Sequence, residues 1–285
     1  MNKISQIINF IKLYTFEIMS FCILLFLIFL IFYYNYNYNK SYKHNLIENI
    51  ENKKTIEIVV SRFNEDLNWL NEYPFSKYPV ICYNKGVNSN YNINNMKQSI
   101  KLLNVGRESH TYLYHIINNY DNLADITIFL PGSADSKAYN KKIRSIQLLK
   151  ECEESNTSVI IGVKHTSVKK ELYNFKMERY KSTTQDNNDI NPETKLELSK
   201  LRPYGVWFEH RFPNTDIHYI PYSGIIAISK EHILQYPKVY YEKLIDELSY
   251  SSNPEVGHYF ERSWVAIFNN LTGAKFIDAS VLFKL

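Results

Sequence analysis

"NVGRESHTYLYHIINNYDNLADITIFLPG", Asn104–Gly132, carries two patterns in succession. In its first half Leu113, Ile116 and Ile117 recur at helical spacing, with Arg107, His110, Thr111 and Tyr114 sharing another face. Its second half, "ADITIFLPG" from Ala124, is a short β-branched run closed by Pro131 and Gly132, as a strand entering a turn would be. The same alternation continues on both sides. "TIEIVVS" from Thr55, "YPVICYNKG" from Tyr78 and "SVIIGVKH" from Ser158 read as strands, and "KKIRSIQLLKEC" from Lys141 reads as a helix. Strands separated by helices imply βαβ units, so the expected class is α/β with a mainly parallel twisted sheet flanked by helices. Ligands of such sheets sit beyond the carboxyl ends of the strands. The segments that follow the strands, "SRFNEDLNWL", "YNKG" and "PGSADS", are therefore where function is sought.

Around this core the 285 residues accommodate one catalytic-sized domain and an appendage. The appendage is "FEIMSFCILLFLIFLIFYY", Phe16–Tyr34, an apolar run long enough for a transmembrane helix with the lipid bilayer as its partner. Tyr33, Tyr34 and Tyr36 follow where a signal-peptide cleavage site would need small residues, so an interfacial belt fits better. The expected organisation is a short tail over 1–15, a membrane helix over 16–34, a stalk over 35–54 and an α/β domain over 55–285. Lys3 and Lys12 before the span nearly balance Lys40 and Lys43 after it. A single-pass signal anchor with the domain on the non-cytosolic side is the expected topology. The formal charge of +4 is spread along the chain, which argues against nucleic acid as a partner. Cys82 and Cys152 offer neither a disulfide framework nor zinc spacing.

Between His165 and Pro203 the chain turns polar without a sustained apolar face, and an insertion over 165–203 reads as a lid on the domain. "YGVWFEHRFPN" follows, crowding Trp207, Glu209 and His210, and then the strand-like "SGIIAIS". Two helices close the chain. One starts near Pro237 with Tyr240, Leu244, Ile245 and Leu248 inward, the other near Pro254 with Val256, Phe260, Trp264 and Phe268 at every fourth position.

The ordered set "VVSRFNEDLNWL", "YNKG", "NVGRESHTYLYHIINNYDNLADITIFLPG", "YSGIIAIS" with "YYEKL" downstream, and "GHYFERSW" resembles the domain-of-unknown-function family 3431. Members of that family are similar in layout to glycosyltransferases of the nucleotide-sugar-binding α/β fold. Many of them continue after the third strand with an Asp-rich Q-G-D-x-x-x-H-like segment. This chain has "PGSADSKAY" instead, which leaves Asp135 as the carboxylate there.

The resemblance implies transfer of a sugar from a nucleotide donor to a hydroxyl of a glycan acceptor. On that reading Arg62 and Glu65 after the first strand hold the base or ribose; the alternative is an exposed turn leading into a helix with Trp69 and Leu70 buried. Asn104 caps the next helix, Gly106 admits a ligand close to the backbone, and Arg107 with His110 binds the diphosphate at the helix start; the alternative is that Arg107 and Glu108 pair with elements of the fold. Trp207, Glu209, His210 and Arg262 are the expected acceptor contacts. Glu261 is the expected general base, with His258 or Arg262 orienting it; the competing reading is a structural Glu261–Arg262 network. Asp135 is at best one expected ligand of a weakly held Mn²⁺ or Mg²⁺, and metal-independent transfer is the alternative. The runner-up is a catalytically inactive carbohydrate-binding or structural membrane protein on the same fold.

Overall fold

All of β1 (Ile56–Arg62) beyond its first residue is buried, because the strand lies inside a sheet covered on both faces. Val59 points into one apolar cluster, while Ile58 and Val60 point into another. The computed structural model describes residues 4, 14–15, 19, 21, 24–40, 54–137, 140–179 and 196–282. They divide into two compact units, Met1–Lys53 and Lys54–Leu285.

In the first unit residues 24–40 form helix α1, whose side chains from Leu24 to Phe32 are exposed. Among the described residues no helix is long and apolar enough to cross a membrane. The expected span also includes residues 16–18, 20 and 22–23, which lie outside the described residues, as do 41–53 of the expected stalk. Residues 35–40 continue α1.

In the second unit β1 is followed by β2 (Val80–Asn84), β3 (Met96–Lys101), α2 (Arg107–Asn118), β4 (Ile126–Pro131), α3 (Lys141–Ser155) and β5 (Val159–Lys164). After these come α4 (Val168–Glu171), α5 (Tyr204–Arg211), β6 (Tyr219–Ile220) and β7 (Ile226–Ser229). The chain continues through α6 (Lys230–Ile233), α7 (Lys238–Ile245), α8 (Glu255–Ile267), β8 (Lys275–Asp278) and α9 (Ala279–Leu282). The sheet order is β3-β2-β1-β4-β7-β5-β6, with β8 beside β5. Strands β1 to β4 pair in parallel, as do β5 and β8. β7 runs antiparallel between β4 and β5, and β6 is antiparallel to β5. The sheet is therefore mixed rather than mainly parallel. "IIAI" is buried throughout, and an apolar run buried on both faces reads the same in either direction.

From β1 the chain moves outward to β2 and β3, then returns across β1 to β4. Connections thus leave in opposite directions beyond the carboxyl ends of β1 and β4, the place where open α/β sheets form a crevice. α2 lies over one face of the sheet, and its many polar residues are explained there. Thr111 Oγ1 meets Ser61 Oγ of β1 at 2.8 Å, Tyr112 donates its hydroxyl to Gly224 O at 2.9 Å, and His115 Nδ1 meets Tyr83 OH of β2 at 3.1 Å. Each such bond contributes about 1 kcal/mol and fixes the helix in register on the strands. α8 packs on the same side, with Val256, Phe260, Trp264 and Phe268 buried as their spacing predicts. Pro237 and Pro254 are the N-cap residues of α7 and α8, one position before the first turn. Leu148, Leu149 and Cys152 of α3 cover the opposite face, with Trp69 and Phe75. Asn156 ends α3 in the left-handed region at φ 51°.

The described ends of the 165–203 insertion converge on one buried carboxylate; residues 180–195 lie outside the described residues. Glu255 accepts hydrogen bonds from the backbone N–H of Met177 at 3.0 Å, from that of Ser199 at 2.9 Å and from Tyr259 OH at 2.8 Å. Arg202 Nε pairs with it at 3.0 Å.

Candidate functional site

Several elements meet beyond the carboxyl ends of β1 and β4. The turn after β4 brings Ser133, the first turn of α2 brings Arg107 and Glu108, and the start of α3 brings Lys141 and Arg144. The turn before β7 brings Tyr222, Ser223 and Gly224, while α8 brings His258, Glu261 and Arg262. Direct contacts tie them together. Lys141 Nζ donates to Ser133 Oγ at 3.0 Å, and Arg144 Nη2 donates to Tyr222 O at 2.7 Å. The Ser223 N–H donates to Glu261 Oε1 at 2.6 Å, and Arg262 Nη1 lies 3.4 Å from Glu261 Oε2. A side chain on Gly224 would meet Glu108 Cγ at 3.0 Å and the Tyr112 hydroxyl at 3.3 Å, so glycine lets this turn close over α2. Ser223 and Gly224 both have positive φ, 73° and 63°; the turn bends sharply enough to aim the Ser223 N–H at Glu261.

Arg107 extends along α8: its Cδ is 3.2 Å from where a Cβ of Gly257 would stand. Its Nη1 reaches Asn253 Oδ1 at 3.5 Å and its Nε lies 3.7 Å from Glu108 Oε2. Arg262 stacks 4.0 Å over the ring of Phe175, at the described base of the insertion, and donates to His258 O at 2.8 Å. Burial first, then the charges of Arg107 and Arg262, push the His258 imidazole down to about 2, so it is neutral at physiological pH. Burial and Lys85 likewise push His110 down to about 4. Lys85 itself is buried with its ammonium on Val105 O and Arg107 O, and burial pushes it down to about 7.

Other expected residues take different places. α2 begins after Gly106, which has φ 60° and no side-chain cap, so Asn104 does not cap the helix. The close approach that Gly106 permits is to the chain itself, because a Cβ there would stand 2.6 Å from Leu248 O. All three nitrogens of the Arg62 guanidinium are committed to Glu65 O, Asn84 Oδ1 and Asn88, and its face lies 4.5 Å over Tyr91. Arg62 therefore shapes the β1 and β2 loops. Glu65 Oε2 accepts the N–H groups of Phe63 at 2.6 Å and Asn64 at 3.1 Å.

Trp207 is wholly buried among Tyr204, Phe212, Tyr259 and Phe260, and donates Nε1 to Glu247 at 2.9 Å. It packs the core where an acceptor contact was expected. Glu209 and His210 are exposed on α5, with Glu209 3.7 Å from Lys169. They are not brought together with Glu261. Asp135 is exposed in the loop after β4; partial desolvation there raises its pKa, and the charges of Asp66 and Glu65 push the same way. Among the described residues no group of three or more His, Cys, Asp or Glu is placed to hold a metal ion.

Sequence reasoning missed Lys141, Arg144 and Ser223 as members of this constellation. Their signal was position: α3 follows the turn at the carboxyl end of β4, and Lys141 and Arg144 are three residues apart, on one helix face.

Residues 58–277 match the family described as a protein of unknown function, DUF3431, and the chain belongs to it. No curated protein matches the chain.

Proposed function

We propose that this member of the family is a membrane-anchored, glycosyltransferase-like protein that moves a sugar from a nucleotide donor to an acceptor hydroxyl. The observation that carries the reading is the meeting of cations and a pinned carboxylate at the carboxyl edge of the sheet. Arg107 supplies positive charge for a diphosphate, and Glu261 on the neighbouring helix is held by Ser223 N–H and Arg262. Glu261 takes the proton of the acceptor hydroxyl as its oxygen attacks the anomeric carbon. Neutral His258, one turn earlier on α8, adds no charge beside Arg107 and Arg262, and its backbone carbonyl accepts from Arg262. If transfer is assisted by Mn²⁺ or Mg²⁺, Asp135 would supply at most one carboxylate ligand, and the ion would screen the charge of the leaving diphosphate. The exposed apolar flank of α1 supports attachment to a bilayer through residues 16–34. Resistance of the full chain to alkaline carbonate extraction tests the anchor, and release of nucleoside diphosphate from nucleotide-sugars tests the activity.

One observation favours a second reading. Both oxygens of Glu261 already face donors of the protein, as a carboxylate that braces a scaffold would. A catalytically inactive carbohydrate-binding or structural membrane protein would use the same contacts. Sugar binding without turnover separates the two.

A further inference from the structure

The carboxylates at the site all have partners of their own. Glu65 accepts two backbone N–H groups, Glu108 lies beside the Arg107 guanidinium, and Glu261 is shared by Ser223 N–H and Arg262. Lys141 is different. It is 9% exposed, and the partner of its ammonium is the neutral hydroxyl of Ser133 at 3.0 Å. Among the described residues no carboxylate comes within ion-pair distance of it, although the charges of Glu108, Glu261, Glu65 and Arg107 all act on it. A cation removed from water without a counter-ion costs several kcal/mol. Burial accordingly pulls its pKa below the ordinary lysine value. One turn on, Arg144 grips Tyr222 O and so fixes α3 against the turn that carries Ser223.

We infer that Lys141, seated on Ser133, is the counter-charge for the diphosphate of the donor and stabilises it as the leaving group. The inference rests on the transferase reading for the identity of that leaving group, but its central element is an anion subsite. As the bond between the anomeric carbon and the phosphate oxygen breaks, its electron pair passes to the diphosphate. The acceptor oxygen forms the new bond to the same carbon, and its proton passes to Glu261. Lys141 keeps its own protons throughout and hydrogen-bonds to the diphosphate oxygen, where the negative charge grows. Its two N–H bonds not used by Ser133 are the donors for that oxygen.

The test uses the full-length chain in detergent, with inorganic pyrophosphate as probe, and compares wild type with Lys141→Met and Lys141→Gln. Calorimetric titration is expected to show wild-type binding and a 10- to 100-fold weaker affinity in both variants, the range for losing a charge-assisted hydrogen bond. Without pyrophosphate both variants are expected to melt at or above the wild-type temperature, because a buried charge with no carboxylate in ion-pair contact has been removed. The inference is overturned if wild type does not bind pyrophosphate or if a folded variant keeps the wild-type affinity. It is equally overturned if both variants melt far below wild type, which would make Lys141 a structural cation. Pyrophosphate carries no sugar, so failure of the transferase reading would appear separately, as wild-type pyrophosphate binding without turnover of any nucleotide-sugar.

Discussion

The backbone N–H of Ser223 points at Glu261 Oε1 from 2.6 Å, joining the turn before β7 to the middle of α8. The turn reaches that position with two consecutive positive φ angles, so the carboxylate and the strained loop hold each other in place. Replacing Glu261 with Gln leaves an amide oxygen to accept the same N–H while removing the carboxylate proposed as the base. Turnover of a nucleotide-sugar should fall about 10²- to 10⁴-fold, with the melting temperature nearly unchanged. A large drop in melting temperature would instead assign Glu261 to the scaffold.

Arg107 presents a planar fork where Lys would present a point charge. Arg107→Lys should keep the fold and lower affinity for a nucleoside diphosphate roughly tenfold, as measured by titration calorimetry. Unchanged affinity would remove Arg107 from the donor site.

Gly106 tests how the start of α2 is set. Alanine there must adopt φ near 60° and place its Cβ 2.6 Å from Leu248 O, so Gly106→Ala should cost about 1–3 kcal/mol in urea denaturation. Full stability would mean that the α2–Leu248 contact opens without cost.

Glu255 ties both described ends of the insertion to α8 through Met177, Ser199, Arg202 and Tyr259. Glu255→Ala strands those donors, and the expected loss is about 3–5 kcal/mol, with faster proteolysis within residues 172–203. Wild-type protease resistance would contradict this role for Glu255.

Stability should also fall with acid. The folded pKa values of His110, His115 and His258 are pushed to about 4, 3 and 2, chiefly by burial. In the unfolded chain histidine titrates near ~6.5. Below that pH the unfolded state binds protons that the folded state refuses, so stability falls as pH drops from about 6.5 toward 4. Each histidine contributes up to ~1.4 kcal/mol per pH unit across this window. Urea denaturation at pH 7.5 and pH 5.0 checks it, and equal stability at both would contradict the neutral, buried state of these rings.

How much of this was legible in the sequence follows from which physical signal each part carries. β1, β2, β4 and β5 are apolar runs between turn residues, and α8 shows its inward row at every fourth position. Such burial patterns survive in sequence whatever the tertiary partners are. β3 does not stand out, because "MKQSIK" is a mostly exposed edge strand without an apolar pattern. The direction of β7 was hidden for the opposite reason, since its residues are buried throughout. Within the site, "GHYFERSW" brought His258, Glu261 and Arg262 together because helix spacing is local. Lys141 meets Ser133 only because α3 begins beside the turn after β4, and Ser223 meets Glu261 across 38 residues of chain. Trp207 stands beside Glu209 and His210 in sequence, but the fold uses its ring to fill the core and its N–H to hold Glu247.

The proposed function places sugar transfer from a nucleotide donor in the cluster around Glu261 at the carboxyl edge of the sheet. Its most direct test is release of nucleoside diphosphate from a panel of nucleotide-sugars, with wild type and Glu261→Gln compared at matched, verified folding and with simple sugars and glycans as acceptors. Wild type is expected to show acceptor-stimulated release for at least one donor, with release lowered about 10²- to 10⁴-fold in Glu261→Gln. Absence of release by wild type across the panel, or equal release by the two proteins, would contradict it.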